Sequence, residues 1–340
     1  MKILLYEVRK LFLSKRSFII ICAFILQIAI MFIPHKYDIE YSDEVYKKYT
    51  EQIKGEYTEQ KRDFILDRYD EISEIINSYD GIVSAYKRDE ISLEEFDNYN
   101  FTYHIALAEE STVEHLIEKC NYFDELGRGV FFYDTSWTDF FSTSGYNYIV
   151  ALTIILLTVP AFTNEYHSNA IAMLLTTRNG RRKVCISKII IVAIATFAIA
   201  FTIYMLKFAT FMYIRGDNAN LGVENLIGYN YLPNISLKQY YLIDTVIKSA
   251  SWVVASLFIC AISVLAKNTV FSLFISFIFV VFPYYIAHLF NGGWFKYVFT
   301  ANQLGEMYAH DLKLTLLIIL YITKSTAYSI FCVRGWEHKD

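Results

Sequence analysis

The sequence predicts an all-α polytopic membrane protein. It has six transmembrane helices, N- and C-termini in the cytoplasm, and a large helical extracellular insertion between spans one and two. Three observations carry that fold class. Six segments are apolar enough, and close enough to the roughly 20 residues of helix that cross about 30 Å of hydrocarbon, to be spans. Lys and Arg concentrate in alternate short connections. One long segment, 35–145, is strongly acidic while the rest of the chain is basic. Hydrophobic residues make up 55% of the 340, above the usual share of a soluble domain.

The expected spans are Ser17–Pro34, Tyr146–Phe162, Ile186–Tyr213, Tyr241–Ala266, Val270–Phe290 and Leu312–Val333. The first follows a basic region, as a secretory signal would. The flank "PHKYD" offers no small-residue cleavage site, so an uncleaved signal-anchor is expected. With both ends inside, the inner segments 1–16, 164–187, 266–268 and 334–340 hold 12 Lys or Arg in 50 residues. The outer loops 215–238 and 291–311 hold 3 in 45, which decides the orientation. Segment 35–145 has 11 basic and 26 acidic residues, a net −15, and is expected outside. Abundant Ile, Lys, Tyr and Asn with few Gly or Pro suggest an AT-rich bacterial genome, hence the plasma membrane of a bacterium.

Residues 1–16 read as an amphipathic cytoplasmic helix lying in the headgroup layer. Leu4, Leu5, Val8, Leu11 and Phe12 share a face, while Lys2, Glu7, Arg9 and Lys10 fall largely elsewhere. Within 35–145, the spacing of Tyr46, Tyr49, Ile53, Tyr57, Phe64, Ile72, Ile75 and Tyr79 predicts one long helix over about 43–79, broken at Gly81. A second helix opens at Ser92, where Glu95 three residues on completes a capping box. The two make an antiparallel hairpin. Its acidity suits a solvated surface, repulsion from anionic lipid, or attraction of a cationic ligand. The region 146–333 is the five-helix remainder of the membrane part, with the tail at 334–340. Within it, 291–311 is rich in Trp, Phe and Tyr and reads as a re-entrant or interfacial outer segment.

Familiar catalytic chemistry is missing from the pattern. There is no GxxxxGK[ST] phosphate loop, GxSxG elbow, HExxH or paired Cys/His metal spacing. No catalytic, cofactor-binding or metal-ligating residue is assigned, and the chain is not expected to be an enzyme. Nothing points to nucleic acid. Ionisable residues inside spans carry more information, since each costs about 2.5–3.5 kcal/mol at mid-membrane. The candidates singled out are Lys207, Asp244, Lys248 and Lys324. Asp244 and Lys248, four apart, can pair along one helix face. Lys324 either faces a cavity or extends toward the interface.

Between the second and third spans stands "FTNEYHSNAIAMLLTTRNGRRKVCISK". An acidic residue, a short helix, Leu-Leu-Thr-Thr, a turn, an Arg and a Lys opening the next span follow in order. Here they are Glu165, Leu174-Leu175-Thr176-Thr177, Arg181 and Lys188. This arrangement, with the topology of nearly the whole chain, resembles the permease subunits of type-2 ATP-binding-cassette (ABC) exporters. In that family a Pro often precedes the Arg; here the turn is Arg178-Asn179-Gly180.

The resemblance implies a pair of permeases, a second copy of this chain or a related one, docked on separate cytoplasmic ABC ATPase subunits that hold ATP and Mg. It implies a coupling helix near 164–177, with Ala170, Ile171, Leu174 and Leu175 as its apolar stripe and Glu165 and Arg181 as polar anchors. No cofactor is expected on this chain, and lipid is a partner by composition. Peptides or antimicrobial compounds are the expected cargo. A second function class is a receptor-like or immunity protein that binds a ligand through the outer hairpin without ATP-driven transport. A third, motivated by Asp244, Lys248 and Lys324, is a channel or ion-coupled transporter, for which no inverted repeat of broken helices is evident.

Overall fold

The computed structural model describes residues 6, 7, 9, 17–31, 41–142, 147–167, 176, 182–229, 234–282 and 314–337. The chain is mostly helical and divides into two compact units. One comprises residues 1–34, 141–217 and 238–340; the other comprises 35–140 and 218–237. The acidic insertion is therefore joined by part of a loop expected to be a simple outer connection.

In chain order the helices are α1 (Ser17–Met31), α2 (Asp43–Gln52), α3 (Glu59–Lys87), α4 (Leu93–Leu126), α5 (Thr135–Ser142), α6 (Tyr148–His167), α7 (Arg182–Arg215), α8 (Leu237–Ala266), α9 (Thr269–Val280) and α10 (Leu314–Glu337). Each of the six expected apolar segments holds one of them. Among the described residues three, α6, α7 and α8, are long and apolar enough to cross a membrane, while α1 and α9 are shorter apolar helices. Several ends differ from expectation. Helix α6 runs past Phe162 to His167, so Asn164 and Glu165 belong to its last turn instead of a following loop. Helix α7 begins at Arg182, ahead of Ile186. Helix α10 continues through Arg334 to Glu337, into the expected tail.

In the apolar unit, α6 packs against α1, α7 and α9, and α7 also meets α1 and α10. Two clusters form its core. One gathers Val150, Ile154, Ile203, Trp252 and Val280 from α6, α7, α8 and α9. The other gathers Phe162, Cys185, Cys260, Cys332 and Trp336 from α6, α7, α8 and α10. The second cluster lies where α6, α8 and α10 end and α7 begins, the meeting of ends that antiparallel helices require. Helix α9 starts there too: Asn268 caps it by accepting from the Phe271 N–H at 3.1 Å, and the Thr269 hydroxyl donates to Thr163 Oγ1 at 2.8 Å.

The acidic unit is a helical hairpin with a small cap. Ser92 opens α4 with the expected capping box: its hydroxyl accepts from the Glu95 N–H, and Glu95 Oε2 accepts from the Ser92 N–H at 2.8 Å. The hairpin is zipped by Tyr79 stacked on Tyr103 at 3.6 Å and Tyr86 on Phe96 at 4.4 Å. The single helix expected over 43–79 is instead two helices. Gly55 takes φ 107°, a conformation side chains rarely adopt, and Gly55–Glu56 (β1) pairs antiparallel with Val130–Phe131 (β2). Gly81 does not break α3; the helix runs on to Lys87 and the reversal comes at Asp89, with φ 58°.

Candidate functional site: a buried lysine held by two carboxylates

Lys188 lies in the second turn of α7, in an otherwise apolar environment, and is 2% exposed. Its ammonium donates to Glu165 Oε1 of α6 at 3.0 Å, to the Ala161 carbonyl at 3.0 Å and to Glu7 Oε2 at 2.9 Å. An ammonium has three N–H donors, and all three are used. The ring of Phe162 lies 6.0 Å from the same nitrogen and presents its negative face to the charge. Both carboxylates are largely buried, their side chains 7% and 11% exposed. Burial of this kind is tolerated only because charge and hydrogen bonds are both matched. It also explains why α6 stays helical through its polar Asn164-Glu165 end: Glu165 has its cation beside it.

The cluster's surroundings tie several elements to the end of α6. Trp336 of α10 packs edge-on to Phe162 and Tyr166, with centroids at 5.7 and 5.8 Å. Thr163 bridges to Thr269 at the start of α9. Glu165 stands before the 168–181 segment and Lys188 after it, so their ion pair joins the two helices that the segment connects. Thr176, within the segment, is helical and exposed. Ala170, Ile171, Leu174, Leu175 and Arg181 lie outside the described residues, as do most of 1–16 and all of 291–311.

No protein family, curated protein or solved structure matches the chain. Its function is therefore argued from its own residues.

The other sequence-derived candidates are distributed along the bundle. Asp244 and Lys248 form an ion pair along α8. The Lys248 ammonium lies 6.0 Å from the Tyr204 ring centroid. The Tyr204 hydroxyl accepts from Trp252 Nε1 at 3.1 Å, and the Tyr241 hydroxyl donates to the Tyr204 carbonyl at 3.0 Å. This second polar group joins the later part of α7 to the earlier part of α8, away from Lys188. Lys207 and Lys324 are half-buried on α7 and α10. Lys207 lies about 28 Å along α7 from Lys188, by the 1.5 Å helical rise, and so outside that cluster. Among the described residues, no group of His, Cys, Asp and Glu is placed to hold a metal ion.

Glu7 is the partner that sequence reasoning missed. Spacing placed it on the polar side of an amphipathic helix and went no further. One signal was present: it is the single carboxylate among five Lys or Arg in residues 1–16.

Proposed function

We propose that this chain is the permease subunit of an ATP-driven exporter in a bacterial plasma membrane, working as a pair and coupled to a separate cytoplasmic ATPase. The observation that carries the reading is the Glu165–Lys188–Glu7 cluster. It joins the two helices flanking 168–181 and ties them to the N-terminal segment, so a push on 168–181 moves α6 and α7 as one body. That is what a coupling element requires: a force applied by another protein must reach the membrane helices without being lost in a soft hinge. The missing phosphate loop agrees with ATP chemistry on a partner. The basic inner connections agree with a cytoplasmic 168–181 and an outward acidic unit. Peptides or antimicrobial compounds are the cargo class this reading favours.

The test is co-purification and export. Under the proposal the chain isolates with a nucleotide-binding subunit, and Leu174→Asp or Leu175→Asp abolishes ATP-dependent export while the chain still reaches the membrane. A purified complex without ATPase, together with export that survives both substitutions, refutes it. The receptor-like reading, motivated by the net −15 of segment 35–145, makes the opposite forecast: loss of the hairpin abolishes function and loss of the ATPase does not.

A further inference from the structure

On the hairpin, α4 meets α3 through Phe96, Asn100 and Tyr103, which bond or stack with Tyr86 and Tyr79. The opposite side of α4 carries Asp97, Phe101, Ile105 and Ala108 at i, i+4, i+8 and i+11, with Glu94 one heptad before Phe101. These residues are exposed, Phe101 by 68% and Ile105 by 40%. Farther along the same helix this side is covered: Tyr46 of α2 accepts from the Lys119 ammonium at 3.1 Å, and Tyr49 donates to Glu109 at 2.7 Å. Helix α2 thus covers one half of this side of α4 and leaves the apolar half open. A contiguous exposed aromatic–aliphatic stripe on a strongly acidic helix marks an interaction surface.

Charge selects the occupant. From Leu93 to Glu118, α4 has seven carboxylates and no Lys or Arg. A second copy would bring the same acidic face, and anionic lipid would bring more negative charge; both are repelled. We infer that the Glu94–Ala108 face of α4 binds cationic amphipathic peptides. The peptide's apolar side covers Phe101, Ile105 and Ala108, and its Lys or Arg side chains reach Glu94 and Asp97. This is the mode in which an amphipathic helix lays its apolar face on a complementary surface. Binding itself stands apart from the exporter reading; only its use in delivering cargo to the membrane path rests on that reading.

The experiment uses the full chain in phosphatidylcholine nanodiscs and a fluorescein-labelled lysine–leucine amphipathic peptide, with empty discs as background. A glutamate–leucine counterpart serves as the charge control. The lysine peptide binds, raised salt weakens it, and the glutamate peptide does not bind. The Phe101→Ser/Ile105→Ser and Glu94→Gln/Asp97→Asn double variants each lose affinity by about tenfold or more. All four positions are solvent-facing, so circular dichroism stays unchanged. Equal affinity in both double variants overturns the inference, and so does preference for the glutamate peptide. A change of oligomeric mass in the Phe101→Ser/Ile105→Ser variant with peptide binding intact also overturns it, by assigning the face to a second copy. Leu174→Asp leaves this binding unchanged, so failure here and failure of the exporter reading are separate results.

Discussion

Lys188 illustrates how one buried charge commits its neighbours. Replacing it with Met removes the ammonium but leaves Glu165 and Glu7 in an apolar setting. Breaking a buried pair from one side costs about 3–5 kcal/mol, so Lys188→Met is expected to lower the thermal midpoint of the detergent-solubilised chain sharply. Glu7→Gln keeps an oxygen that accepts from Lys188 and is expected to cost far less. If the two variants unfold together with wild type, the cluster is not holding the helix ends. Gly129 makes a steric forecast in the other unit. A Cβ there would fall on the Phe123 ring, one of the fully buried side chains of that core. Gly129→Ala is expected to destabilise the acidic unit by about 1–3 kcal/mol, the range for overpacking, read as faster hydrogen exchange in α4.

At the scale of elements, the attachment of α2 to α4 is expected to depend on pH. His115 of α4 stacks on Tyr41 at 4.5 Å. Burial and the nearby Lys119 hold its pKa below the ordinary 6.5, against the opposing pull of Asp134 and Glu118. A depressed histidine pKa favours the neutral folded form. The stabilisation is present above about pH 6.5 and is lost as pH falls through that value toward the folded pKa. Glu109 behaves likewise at lower pH. Burial raises its pKa, but hydrogen bonds from Arg68 at 2.8 Å and Tyr49, and the charge of Arg68, outweigh burial and hold it below 4.5. Once the intrinsic pH dependence of amide exchange is divided out, protection in α2 is therefore expected to fall in two stages on acidification, and His115→Phe removes the first. An unchanged first stage in that variant would assign it to another group. Sequence legibility follows the same scale. The capping box at Ser92 and the Asp244–Lys248 pair lie within one or two helical turns, so local spacing reveals them. The break before α3 does not, because it depends on Gly55–Glu56 pairing with Val130–Phe131, far along the chain. Lys188 drew attention through its motif; Glu7 could be joined to it only in three dimensions.

For the whole molecule, orientation is the property on which the functional reading depends, and two exposed positions test it. Ser84 lies on α3 of the hairpin and Thr176 in the basic connection. A cysteine at Ser84 is expected to react with a membrane-impermeant maleimide in intact cells, and a cysteine at Thr176 only after lysis. The reverse pattern would invert the topology and remove the exporter proposal with it. Four of the five native cysteines are buried, which limits background; Cys22 is exposed on the apolar α1. The Lys188 cluster also sets a schedule for biosynthesis. Glu7 and Lys188 are 181 residues apart. At roughly 5–20 residues per second, about ten to forty seconds separate their emergence from the ribosome. During that interval α1 is already made while Glu7 has no Lys188 to meet, and the ion pair closes only after the start of α7 has been synthesised. The segment carrying Glu7 is thus made long before the residue that locks it in place.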